Sequence, residues 1–328
     1  QKAYLSSKSK GVNPLKKEGK AEFAYKNFGK PGQIVERKED EALGVVQLRF
    51  SNNVRLNLKR TDYEKDSISI GARIGSGMLS MPKDKPGLAT VASAIFTAGG
   101  LKQHSTDELR RIFAGKTVSG SFAVDEDAFI YSGSTNRKDL VNALQLMTAY
   151  IVEPGYREEA LRQFQNQLDP LYTQLAHTPM GVLQNRVDRF LKSDDFRAGF
   201  PSRPEITKRT IGEVKDWLSD TLESAYMEIG IVGDFEEQLV IDAVSKTLGA
   251  LPARRINKME FTGERRISFP VKGQSKAFVF ESEIPKGMVG VYWPTQDIWD
   301  ISRTRRLSVL GAIFADRLRS KVREELGE

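Results

Sequence analysis

The residues from Gly87 to Ala94 have the spacing of a metal-hydrolase helix and the wrong side chains for it. In the arrangement H-x-x-E-H, two imidazoles one helical turn apart grip zinc, and the carboxylate between them handles the proton of the attacking water. The corresponding positions here are Thr90, Ser93 and Ala94. Two hydroxyls and a methyl cannot replace two imidazoles and a general base, so this helix is expected to bind no metal and to pack as a face of small residues. Ser93 is not placed as a nucleophile, since no G-x-S-x-G elbow surrounds it and no His lies one turn away. The chain has two His, His104 and His177, and no Cys. Neither His has a second His or a Cys spaced to join it, and both are read as ordinary surface residues. A chain without Cys has no disulfide, thiolate zinc site or Cys nucleophile; this suits cytoplasm and periplasm alike. Gly75-Ser76-Gly77 is read as a tight turn after a strand, because the third Gly and βαβ unit of a phosphate cradle are missing.

The elements that must position these residues follow from pattern. Val45–Phe50, Val54–Leu58 and Ser67–Ile74 alternate as strands. A helix is predicted from Gly87 to about Ala98, with Leu88, Val91, Ile95 and Phe96 on its packed side and Gly99-Gly100 ending it. Ser105-Thr106-Asp107-Glu108 signals the start of the next helix. Thr117–Val124 and Ala128–Ser134 are two further strands. Helices follow over 139–152, 156–174 with a break near Pro170, 179–191 and 211–222. Ala225–Val232 is a strand and Glu236–Leu248 a helix. The order is that of an α+β layer, an antiparallel-rich sheet packed by helices.

Residues 1–40 are polar, Lys-rich and broken by Gly and Pro, and read as a linker or arm, with Phe23-Ala24-Tyr25 able to dock. Residues 41–252 form the first domain and 253–270 a basic connector. Residues 271–328 read as the start of a second, similar domain, with strands at 277–283 and 288–293 and a long helix from about Ile301 to Glu325. No run of about 18 apolar residues exists to span a membrane, and Gln1-Lys2-Ala3 opens no apolar signal core. The net charge of +7 raises a nucleic-acid partner, but the basic residues are mixed with 43 acids and no zinc-finger, RNP or P-loop pattern accompanies them.

Taken in order, Phe50-Ser51-Asn52-Asn53-Val54, Gly75-Ser76-Gly77, Pro86-Gly87-Leu88-Ala89, Phe96-Thr97-Ala98-Gly99-Gly100, Glu153-Pro154 and Ile231-Val232-Gly233-Asp234-Phe235 resemble the pitrilysin/insulinase family of zinc metallopeptidases. The resemblance implies an insulinase-like fold and a place in the non-catalytic second half of a long bacterial-type member. In such proteins two halves close like a clamshell and zinc sits in the first. The degenerate positions Thr90, Ser93 and Ala94 then mean that no cofactor is expected in this chain, with zinc expected in the other half. The family draws a further zinc ligand from a downstream helix, where this sequence offers only Asp169. The family's last domain often carries an Arg and a downstream Tyr that bind substrate. Arg323 matches the first, and the Tyr position falls past Glu328. An ordinary reading of Arg323, a solvated residue on a charged helix end, stands beside this one. The strand Thr117–Val124 matches the family's substrate-pairing edge, which makes Ser119 and Ser121 candidate peptide contacts.

The expected function is therefore a wall of a peptide-holding chamber that supports hydrolysis by zinc elsewhere, with an N-terminal zinc-bearing half as partner. The alternatives are an assembly subunit for a separate zinc-bearing chain and, further off, a basic nucleic-acid binder. The expected compartment is the periplasm or cytoplasm of a bacterium.

Overall fold

The computed structural model describes residues 22–282, 287–295 and 298–327. The chain divides into two compact units at Ser282/Glu283. The first holds strands β1 (Ile34–Asp40), β2 (Val45–Phe50), β3 (Arg55–Arg60), β4 (Ile68–Ile74), β5 (Ser121–Val124), β6 (Phe129–Thr135) and β7 (Met227–Gly233). They make one seven-stranded sheet in the order β1-β2-β3-β7-β4-β6-β5. Among the described residues only β3 and β7 run parallel; every other neighbouring pair is antiparallel. The period-2 pattern sets the buried face: Leu56 and Leu58 on β3, and Ile68, Ile70, Ala72 and Ile74 on β4, are all in the core.

Helices pack onto this sheet: α1 (Leu88–Ile95), α2 (Thr106–Ile112), α3 (Leu140–Val152), α4 (Glu158–Asn166) and α5 (Leu168–His177). Next come α6 (Pro179–Val182) and α7 (Asp188–Leu191), joined by a π-helical turn, then α8 (Arg203–Thr207), α9 (Ile211–Ser224) and α10 (Glu237–Lys246). Leu88, Val91, Ile95 and Phe96 are each 1% exposed or less, so α1 turns its expected side to the core. Phe96 stacks on Phe122 of β5 with ring centroids 4.0 Å apart. Pro170 sits in the first turn of α5, where its missing N–H has no helical partner to lose, and the break falls just before it. Helix α8 has no counterpart in the sequence reading, although Ser202 and Glu205 form a capping box there.

Four expectations change. The arm docks at Phe23 and Tyr25, which are buried as expected, but it is more than a linker, since β1 lies wholly within it and pairs with β2. The aromatic rings find partners, since Phe23 lies 5.1 Å from Phe113 and the Tyr25 hydroxyl donates to Glu153 Oε2 at 2.9 Å. His104 is not a surface residue. It is 7% exposed, and its Nε2 accepts the Ala24 N–H at 2.9 Å, so the imidazole fastens the arm to the domain. The strand expected over 117–124 shortens to Ser121–Val124. Ser134 N–H donates to the Ser119 hydroxyl at 2.9 Å rather than to a backbone carbonyl, which interrupts the ladder, and Val118 keeps only an isolated bridge to Thr135.

The fourth change is in the connector and beyond. The connector lies on the domain: the Arg254 guanidinium is buried and donates to Leu222 O at 2.6 Å, and Lys258 meets Asp127 at 2.9 Å. Among the described residues the expected strands at 277–283 and 288–293 are not formed; Glu283 lies outside the described residues. Two strands without a third or a helix to cover them are marginal in water, and Val279, Val289 and Trp293 are exposed. The second unit does form the expected helix, α11 (Ile301–Arg319), capped by Asp300 accepting from Arg303 N at 3.0 Å and running on into a π-helical turn, Ser320–Glu325. Neither segment buries a residue.

Candidate functional site

Helix α1 opens at Gly87, whose φ of 86° strains any other residue and where an added Cβ would press on Pro201 at 3.3 Å. It carries Thr90, Ser93 and Ala94 half-buried, next to β5. The Ser93 hydroxyl donates to Ala89 O and accepts from Val124 N–H, both at 2.9 Å. It is thus committed to structure on both sides. Ala94 packs against the hydrophobic core. The donor chemistry does not fit zinc, since neither imidazole nor carboxylate stands on this face. Among the described residues no group of three or more His, Cys, Asp or Glu is placed to hold a metal ion.

The remaining candidates lie apart. His177 Nδ1 contacts Glu281 O at 2.8 Å in an exposed setting. Asp169 pairs with Arg203, which occupies the one carboxylate the downstream helix offered. Arg323 is exposed in the π-helical turn of the second unit.

Strand β5 is the terminal strand of the sheet. Ser121 and Ser119 are exposed, yet their hydroxyls turn to β6: Ser121 Oγ donates to Ser132 O at 3.4 Å and Ser119 Oγ meets Ser134 Oγ at 3.0 Å. An extended ligand here would be read by the strand's backbone. Two buried tyrosines lie behind this edge. Burial pushes the Tyr131 hydroxyl well above its ordinary value, and Tyr150 up to about 12. The Ser93–Val124 bond escaped the sequence reading, because it depends on which way a strand amide points, and that requires the sheet register.

The first unit is a helix-backed, mostly antiparallel sheet whose α1 carries Thr90, Ser93 and Ala94 and offers no metal-binding set. Residues 209–328 match the family described as the Peptidase M16 inactive domain. The chain is 24% identical over 260 residues to the chloroplastic stromal processing peptidase of Oryza sativa subsp. indica, covering 76% of this chain and 20% of that protein. It is 18% identical over 299 residues to the probable zinc protease PqqL of Haemophilus influenzae, covering 90% of this chain and 31% of that one. The structure of the periplasmic protease PqqL from Escherichia coli superposes with a TM-score of 0.60 at 20% identity, over 77% of this chain and 28% of that chain. The chain thus resembles the pitrilysin/insulinase (M16) peptidases, has their fold and carries a segment of their inactive domain. It spans under a third of the length of each of these relatives. Among the described residues no helix is long and apolar enough to cross a membrane.

Proposed function

We propose that this chain is a metal-free portion of an M16-type zinc peptidase, forming part of the wall that holds a peptide while zinc on another portion hydrolyses it. The observation that supports the reading is α1: a helix whose Thr90, Ser93 and Ala94 have the spacing of the motif and offer neither ligand nor base. The name of the Haemophilus relative, a probable zinc protease, supports placing the metal outside this chain. The open edge of β5 is the surface on which an extended peptide would lie, near Ser119 and Ser121. Arg323 is the residue that would reach the reacting carbonyl, where a guanidinium donates charge-assisted hydrogen bonds. Because the chain covers a minor share of its relatives, an assembly subunit for a separate zinc-bearing chain is the second reading. The compartment would follow that of a periplasmic relative.

The test mixes this chain with the zinc-bearing half encoded in the same genome and follows cleavage of a quenched fluorescent peptide. Cleavage should need both parts, and Arg323→Ala should lower turnover by about 10²-fold with zinc retained. Chelator-sensitive cleavage by this chain alone would overturn the reading. Full activity of the Arg323→Ala mixture would return Arg323 to an ordinary helix-end role.

A further inference from the structure

The register of the sheet fixes which backbone groups β5 turns outward. Ser119 N–H bonds Ser134 O at 3.3 Å and Asp125 N–H bonds Ala128 O at 2.9 Å. Between them Ser121 stands opposite Ser132 and Ala123 opposite Ile130. Hydrogen-bonded and non-hydrogen-bonded pairs alternate along an antiparallel ladder. Ser121 and Ala123 therefore spend their N–H and C=O on β6, and Ser119 spends its N–H there, while Gly120, Phe122 and Val124 present theirs to the open side. A peptide added to this edge would have to use these three positions, in steps of two residues.

Val124 is not available to it. Its N–H donates to Ser93 Oγ at 2.9 Å, and the same hydroxyl donates to Ala89 O at 2.9 Å. One short side chain, donor and acceptor at once, ties the helix of the degenerate motif to the last outward amide of the edge. Gly120 and Phe122 carry no such cap among the described residues. We propose that Ser93 is a register stop: it closes the β5 edge at Val124 and confines an extended peptide to Gly120 and Phe122. The proposal rests on the reading of β5 as a peptide-binding edge. It gives the serine at the degenerate position a task of its own, beyond the absence of a base. A methyl at this position would leave the Val124 amide open, whereas threonine keeps the hydroxyl.

Amide hydrogen exchange at single-residue resolution, on the whole chain with and without a blocked hexapeptide of alternating valine and threonine, separates the two layers of the claim. Without peptide, Ser93→Ala should speed exchange of the Val124 amide about fivefold to tenfold, the loss expected for one hydrogen bond. Gly120 and Phe122 should be unchanged, and Ser93→Thr should restore the wild-type rate. With peptide, protection should appear at Gly120 and Phe122 in the wild type and extend to Val124 only in Ser93→Ala. An unchanged Val124 rate in peptide-free Ser93→Ala overturns the cap. The same footprint in both proteins overturns the stop. A peptide that protects none of the three amides in any variant removes the edge reading, and the stop with it, while the peptide-free rates still report whether Ser93 holds Val124.

Discussion

At Gly120 an added Cβ would lie 1.9 Å from the Tyr131 hydroxyl oxygen and 2.6 Å from its ring carbon, so only glycine fits between that ring and the sheet edge. The hydroxyl is itself buried and, among the described residues, without a hydrogen-bond partner. Gly120→Ala should therefore destabilise the fold by about 1–3 kcal/mol, the usual cost of overpacking. Tyr131→Phe, which deletes an unsatisfied group, should be neutral or stabilising. Urea unfolding of both variants checks the pair: a Tyr131→Phe protein weaker by more than about 1 kcal/mol would mean that the hydroxyl has a partner. Residues were legible in the sequence where their chemistry was local. Thr90, Ser93 and Ala94 were singled out by type and spacing alone. His104 was misplaced, because what buries it, the aromatic pair Phe23 and Tyr25, lies some eighty positions away.

Elements were legible where a start signal and an apolar period agree. Helix α2 is the clear case. The Ser105 hydroxyl accepts from Glu108 N–H at 3.2 Å, and Glu108 Oε2 accepts from Ser105 N–H at 2.7 Å. Backbone and side-chain hydrogen bonds from Ser105 hold the Glu108 carboxyl below its ordinary range. A carboxyl depressed in the folded state adds stability above its unfolded pKa and loses it as pH falls through the folded value. Ser105→Ala should thus cost about 1 kcal/mol at pH 7, with a smaller penalty at about pH 3.5, below the ordinary Glu value. Equal penalties at the two pH values, from denaturant midpoints, would contradict this. The strand signals at 277–283 and 288–293 failed for the complementary reason. Alternation reports a face to be buried, and a strand forms only when other strands supply the burial.

For the molecule as a whole, the fold class was legible from the element order, and the sheet order was not. Nothing in the sequence spacing says that β7 enters between β3 and β4, because that neighbourhood is set by long-range packing. At this scale the sharpest expectation concerns metal. With Thr90, Ser93 and Ala94 on α1 and Asp169 paired to Arg203, the chain should retain no stoichiometric zinc after dialysis. Elemental analysis beside a zinc-loaded M16 enzyme decides it: one tightly held zinc per chain would defeat the account of a domain stripped of its chemistry.

The central position of β7 bears on how the protein is made. Strand β7 pairs with β3 on one side and β4 on the other, yet it leaves the ribosome long after both. At about 5–20 residues per second the wait is on the order of ten seconds or more. Once β6 has emerged, β1-β2-β3 and β4-β6-β5 can each pair, but β3 and β4 then keep an unpaired inner edge of the kind that templates aggregation. The domain cannot close until the segment Met227–Gly233 arrives. Its biogenesis is therefore a late, all-at-once event in which chaperones that shield strand edges have the most to contribute.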